Sequence, residues 1–153
     1  MKIRNISKRS ILHIIELKKK WYDEWDYAPP IGFYEEYEDV VLGLARSGCG
    51  CIKIAYIGDK AIGYAIGSSK VYSKDGLCLD VVFDVGYLFE VYVRKEFRKK
   101  GIAKALLRSL ETHFRRSGKK SIFAITYLWN KETQRLLEGA GWKLSGYAFS
   151  KDI

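Results

Sequence analysis

The sequence predicts one α/β domain of the α+β kind, with six or seven strands and about four helices spread over residues 1–153. Three observations carry this. Two helical patterns lie near the N-terminus, a strand hairpin turns at Gly58-Asp59, and the β-rich run YLFEVYV passes through a basic loop directly into an amphipathic helix.

Taken in order, Lys2 to Asn5 reads as a short strand, and Ser7 offers a hydroxyl N-cap. Ile11, Ile14, Ile15, Trp21, Tyr22 and Trp25 then repeat at mostly helical spacing, with Lys18, Lys19 and Lys20 read as the polar face. Pro29, Pro30 and Gly32 break the chain before Tyr34, Tyr37, Val41 and Leu44 give a second helix, stopped by Gly48 and Gly50. Cys51 to Ile57 and Lys60 to Ser69 are two strands joined by the tight turn. A less regular stretch turns at Lys74-Asp75-Gly76, and Gly86 to Val93 is a further strand. From Gly101, Ile102, Ala103, Leu106, Leu107, Leu110 and Phe114 form one apolar helical stripe that ends at Gly118. Ser121 to Thr126 is a short strand, Asn130 caps a helix running to about Glu138, and Trp142 to Phe149 is a last strand pair or a bent strand.

Composition narrows the function classes. The chain has 153 residues, 48% hydrophobic and 29% charged, enough for one sizeable core in an ordinary globular protein. No stretch approaches the roughly 20 apolar residues of a membrane span, and no signal-peptide run opens the chain, so a cytoplasmic location and no membrane partner are expected. Cys49, Cys51 and Cys78 are an odd set without metal-ligand spacing, read as reduced thiols. His13 and His113 lack partners at ligand spacing, so no metal is expected.

The net charge of +9 is unevenly spread. Between Tyr22 and Val40 lie seven acids (Asp23, Glu24, Asp26, Glu35, Glu36, Glu38 and Asp39) and no base, whereas Arg94 to Lys104 holds six bases in eleven residues. Bases packed at a helix start suit phosphates, because the first turn of a helix presents unpaired N–H groups and a positive dipole end, and Gly101 lets an anion approach the backbone. Neither the Walker pattern nor the dinucleotide fingerprint is present. The aromatic group Trp21, Tyr22, Trp25, Tyr27, Phe33, Tyr34 and Tyr37 reads first as core and second as the wall of a cation pocket.

Arg98, Lys99, Lys100, Gly101, Ile102 and Ala103 fill in order the signature of the GNAT acetyltransferase superfamily: Arg or Gln, two residues, Gly, one residue, Gly or Ala. With the strand before it (LFEVYVRKEFRKKGIAKALL), the hairpin stretch GDKAIGYAIG and the spacing of Asn130 to Gly141-Trp142, the chain resembles that family from Lys2 to about Phe149. The resemblance implies a GNAT fold with a mixed, mostly antiparallel central sheet of six or seven strands flanked by about four helices. It also implies an N-acetyltransferase that uses acetyl-coenzyme A (acetyl-CoA) as co-substrate and needs no metal.

It further implies a set of sites. Backbone amides across Arg98, Lys99, Lys100, Gly101, Ile102, Ala103 and Lys104 hold the coenzyme's pyrophosphate, and Val91, Tyr92 and Val93 pair with its pantetheine arm as an extra strand would. Asn130 contacts the same arm or simply caps its helix. Glu90 is the base that takes a proton from an acceptor ammonium, on the face of Tyr92 by strand alternation, or else a strand carboxylate pointing to solvent or paired with a lysine. A backbone N–H near Val91 or Tyr92 stabilises the oxyanion. The tyrosine many relatives use as general acid is replaced by Leu137, leaving Tyr127, Tyr147 or solvent, of which Tyr127 is taken for a catalytic role.

The acceptor is read as a primary amine of a cationic small molecule, polyamine or peptide, entering beside the acidic N-terminal helices. Two other readings stand: a catalytically weak acyl-CoA-binding sensor, supported by Leu137, and a basic nucleic-acid-binding protein, disfavoured because the bases gather at one helix start. Oligomeric state is left open, a homodimer being one form allowed.

Overall fold

The computed structural model describes residues 1–25, 28–69, 71–72, 78–79 and 85–146. The predicted turn at Lys74 to Gly76, the segment 147–149 of the predicted last strand, and Asp26, Tyr27 and Tyr147 lie outside them.

In chain order the elements are β1 (Lys2–Asn5), α1 (Ile11–Glu24), α2 (Phe33–Arg46), β2 (Gly50–Ile57), β3 (Lys60–Ser68), β4 (Val71–Tyr72), β5 (Cys78–Leu79), β6 (Val85–Val93), α3 (Ile102–Arg116), β7 (Ser121–Ala124) and α4 (Lys131–Glu138). The central sheet runs β1-β2-β3-β6-β7. All neighbours are antiparallel except β6 and β7, which are parallel and joined through α3.

The expected six or seven strands are therefore five in the central sheet among the described residues. The short strands β4 and β5 pair only with each other. Trp142, where a last strand was expected to begin, is instead tied to helices: its backbone N–H donates to Leu137 O at 3.0 Å and its indole Nε1 to Glu111 Oε1 at 3.0 Å.

Ser7 caps a three-residue 3₁₀ turn, Lys8–Ser10, ahead of α1 rather than α1 itself. Its backbone N–H donates to Ser10 Oγ at 2.8 Å, and the Ser10 amide returns to Ser7 O at 2.9 Å. Asn130 caps α4 as expected, its Oδ1 accepting from the Thr133 N–H at 3.1 Å.

A core lies on each sheet face. On one side Ile11, Ile14 and Leu17 of α1 and Val41 and Leu44 of α2 pack on Ile54, Tyr64, Ile66 and Tyr92. On the other the α3 stripe Ile102, Leu106, Leu107, Leu110 and Phe114 is fully buried on Ala55, Ala65 and Leu88, each large side chain contributing roughly 1.5–3 kcal/mol. Phe114 reaches the strands because they carry no side chain beneath it: a Cβ on Gly86 would lie 2.7 Å from its ring.

Cys51 is a free buried thiol, pushed up to about 11 by its burial. Cys49 is disulfide-bonded, which corrects the expectation that all three thiols are reduced. Sequence spacing tests only local pairs, whereas this bond depends on which segments the fold brings together.

Candidate active site

The site begins where two strands part. The β6–β7 ladder runs from Val85↔Ser121 to Leu88↔Ala124 and stops, although β6 continues to Val93 against β3. At that point the register with β3 steps from Ile66↔Glu90 to Gly67↔Leu88, making Phe89 the extra residue of a β-bulge. The Arg94 N–H donates to Ile62 O at 3.0 Å across the β3 side. Backbone direction alternates along an antiparallel strand, so Tyr92 also faces β3 while Val91 and Val93 turn their groups to the open edge. Of the three residues expected to pair with a coenzyme arm, the geometry thus presents Val91 and Val93. Arg98 Nε already donates to Val93 O at 2.9 Å.

The chain passes from this edge through a 3₁₀ turn, Lys95–Phe97, into the basic loop. Gly101, the N-cap of α3, has φ +76°, a left-handed conformation that favours glycine, and a Cβ there would meet nothing within 4 Å. Lys99 is also left-handed, at φ +59°. No side chain caps α3, so the amides of Ile102, Ala103 and Lys104 point out of the first turn without intrahelical acceptors, beside exposed Lys99, Lys100 and Lys104. Ile102 and Ala103 send their side chains to the α3-side core and offer backbone alone.

Arg98 departs from expectation. Its guanidinium pairs with the Glu24 carboxylate at the end of α1, packs 5.7 Å from the centre of the Tyr92 ring, and its backbone N–H donates to Lys95 O at 3.2 Å. It fastens α1 to the loop rather than offering charge to an anion. Tyr92 joins the same carboxylate, its hydroxyl donating to Glu24 Oε1 at 2.7 Å. Burial first, then Glu24, push the Tyr92 phenol well up, so it stays a donor.

Glu90 shares the α1 and α2 face with Tyr92, as alternation predicts, and it is paired with a lysine. Lys18 Nζ donates to Oε1 at 2.8 Å, while the hydroxyls of Tyr37 and Tyr64 donate to Oε2 at 2.8 and 2.7 Å. Lys18 was read on a polar face, yet the structure buries it, with 4% of its surface exposed. Its ammonium lies 4.0 Å from the centre of the Trp21 ring, 5.1 Å from Tyr22 and 4.9 Å from Tyr37. The signal was present in the sequence: position 18 follows Ile11 by seven and Ile14 by four and precedes Trp21 and Tyr22 by three and four, which puts it in the apolar stripe. Burial lowers the pKa of Lys18, against the opposing pull of Glu90; burial and then Glu90 raise Tyr37 and Tyr64 well above the ordinary phenol.

The remaining predicted residues divide. Asn130 spends its side-chain oxygen on the cap. Tyr127, on the loop leaving β7, is 70% exposed and stacks on Trp129, which meets Trp25 of the α1 end edge-on at 4.7 Å. Leu137 is a buried core residue of α4. Thr126, two residues past β7, has a buried hydroxyl without a hydrogen-bond partner in the protein. His13 is held structurally, its Nδ1 2.9 Å from the Tyr56 hydroxyl. Among the described residues no cluster of His, Cys, Asp and Glu could hold a metal ion, and no helix is long and apolar enough to cross a membrane.

A parted strand pair leading into an uncapped, basic helix start suits an extended, phosphate-bearing co-substrate: an open backbone edge for its arm and unpaired amides for its phosphates. Such an edge and helix start are what an acyltransferase that works with an acyl thioester needs. The model of the acetyltransferase (GNAT) family matches residues 12–142, and the chain belongs to that family of acetyl-CoA-dependent enzymes.

No curated protein sequence matches the chain. Solved structures do. AAC(6')-Iy, in complex with the bisubstrate analogue CoA-S-monomethyl-acetylneamine, is 20% identical with a TM-score of 0.79, covering 99% of this chain and 97% of that one. The aminoglycoside 6'-N-acetyltransferase AAC(6')-IG from Acinetobacter haemolyticus is also 20% identical, with a TM-score of 0.75 over 100% and 99% of the two chains. An aminoglycoside acetyltransferase from an uncultured soil metagenomic sample, in complex with sisomicin, is 12% identical with a TM-score of 0.72 over 99% and 95%. At these identities the likeness is one of fold.

Proposed function

We propose that the chain transfers an acetyl group from acetyl-CoA to a primary amine of a cationic acceptor. The observation that carries this is the parting of β6 from β7 after Leu88, which leaves Val91 and Val93 facing an open edge one turn before the α3 N-terminus. Val91 and Val93 would hold the pantetheine arm, with Asn130 donating from its side-chain NH₂. The amides from Gly101 to Lys104, with Lys99 and Lys100, would hold the pyrophosphate. The coenzyme supplies an acetyl group activated as a thioester.

The protein's own work is then to bare the amine and to stabilise charge. An acceptor ammonium with a lysine-like pKa of about 10.4 has no lone pair at neutral pH, and Glu90 is the carboxylate placed to take its proton. The Val91 N–H, which faces the open edge, stabilises negative charge on the carbonyl oxygen under attack. Tyr127, on the loop leaving β7, is assigned to return a proton to the departing sulfur.

Acetyl-CoA should raise the melting temperature, and Gly101→Val should abolish that rise. A branched side chain both strains the left-handed backbone and stands over the amides. Gly101→Ala separates the two causes, because it carries the strain with little bulk. An undiminished melting shift in Gly101→Val removes the phosphate-loop assignment, and a thiol-release assay over a panel of amines tests transfer itself.

The acidic segment favours cationic acceptors. Glu24 is committed to Arg98 and Tyr92, whereas Asp23, Glu35 and Glu36 are exposed and free of that pairing, and so are among the carboxylates able to attract a cation. Changing these three to their amides should raise KM for a polyamine at low salt and have little effect at high salt, where the attraction is screened. Should an acidic peptide be the better acceptor, or the triple variant keep the wild-type preference, the acids have no part in recognition.

A further inference from the structure

We propose that Lys18 is the proton store of this site, receiving through Glu90 the proton that the acceptor ammonium gives up. This rests on the acetyl-transfer reading above and deepens it.

Glu90 is not a lone base. An ionised carboxylate has about four acceptor positions. Three are filled, by the Lys18 ammonium and the hydroxyls of Tyr37 and Tyr64, which leaves one for an incoming N–H. The Glu90 side chain retains 19% exposure against 6% for Lys18, so of the two Glu90 is the more open to a ligand. A proton that lands on Glu90 has one basic neighbour, Lys18 Nζ, 2.8 Å away.

Around Lys18 stand Trp21 and Tyr22 from its own helix, Tyr37 from α2 and Glu90 from β6, and Tyr64 from β3 donates to the same Glu90 carboxylate. Of these only Glu90 is anionic. The Tyr37 and Tyr64 phenols hold their protons because burial and Glu90 raise them, so they donate and do not compete for the proton. The rings steady the charged form of Lys18 by cation–π attraction while their bulk removes water, and burial pulls its pKa below that of a free lysine.

The step balances. Starting from neutral Lys18 and ionised Glu90, the acceptor's N–H bond breaks as an O–H bond forms on Glu90. That O–H bond then breaks as an N–H bond forms on Lys18. The acceptor is left with its lone pair, and the site returns to the ion pair seen in the structure. The proton leaves afterwards to solvent by the same path.

Lys18→Arg tests the proposal, because arginine keeps the charge, the bond to Glu90 and the cation–π contacts but does not titrate. With one acceptor used throughout, wild-type kcat/KM should rise with pH as Lys18 becomes neutral. Lys18→Arg should lose that added rise and about tenfold in kcat/KM at neutral pH, with acetyl-CoA affinity and melting temperature nearly unchanged. A purely structural ion pair predicts the opposite: full activity and an unchanged profile, which overturns the proposal. If the variant does not fold, an NMR titration of the lysine ε-methylene groups of the wild type decides. A Lys18 midpoint below that of the other lysines supports the store, and one that coincides with theirs overturns it. Absence of thiol release in the wild type with any amine overturns the transfer reading itself, and is distinguished from the other failures by appearing without a mutation.

Discussion

Glu90→Gln should lower turnover by about a hundredfold or more while acetyl-CoA affinity stays nearly intact, since a positioned general base contributes typically that much. The amide keeps the size of the side chain and one acceptor oxygen, which in the place of Oε2 serves both Tyr37 and Tyr64. It loses the negative charge that faces Lys18 and every route by which a proton leaves the acceptor amine through this side chain. Coenzyme binding is spared because Val91, Val93 and the α3 first turn act through backbone. Thiol-release kinetics at neutral pH, with coenzyme affinity measured on the same preparations, check this. Near-wild-type turnover would make Glu90 a structural partner of Lys18 and nothing more. Some loss of stability is expected too, because Lys18 is left buried without its counter-charge.

Phe114→Ala should lose about 3–5 kcal/mol of unfolding free energy, the range for emptying a large aromatic site in a core. Phe114 is 0% exposed and fills a trough made by Gly67 and Gly86, where its ring atoms come within 3.1 and 2.7 Å of the positions Cβ atoms would take. Neither strand can collapse into the space, because each is fixed in the ladder between β3 and β6. Urea unfolding should show a lower midpoint with little change in slope. Gly86→Ala should cost about 1–3 kcal/mol by overpacking against the ring. Adding Phe114→Leu to it should recover part of that loss, as two changes in one contact do not add. A loss below about 1 kcal/mol in Phe114→Ala would mean that the ring is not what joins α3 to the sheet.

Much of the architecture was set by features that neighbours in sequence decide. The seven-residue recurrence of apolar side chains in α3, the tight turn at Gly58-Asp59, the glycine at the start of α3 and the cap at Asn130 all depend on residues a few positions apart, and each appears where the periodicity and turn chemistry put it. The family signature from Arg98 to Ala103 is legible for the same reason: it is local, and its backbone has one left-handed glycine at an uncapped helix start.

What only the tertiary structure decided is which distant side chains meet. Lys18 and Glu90 are 72 residues apart and Glu24 and Arg98 are 74 apart, so no local pattern relates them. Charge counts group Arg98 with the bases of the loop and Glu24 with the acids of the N-terminal helices, yet the fold sets the two against each other. Lys18 was assigned to solvent because lysine is rarely buried unpaired. The sheet supplies the missing partner from β6, and α2 supplies the Tyr37 ring against the ammonium. The parting of β6 from β7 is likewise a matter of ladder length, since β7 ends at Ala124 while β6 runs on to Val93. A strand's sequence carries its own tendency to extend, but whether a neighbour follows it to the end is decided by where that neighbour turns away.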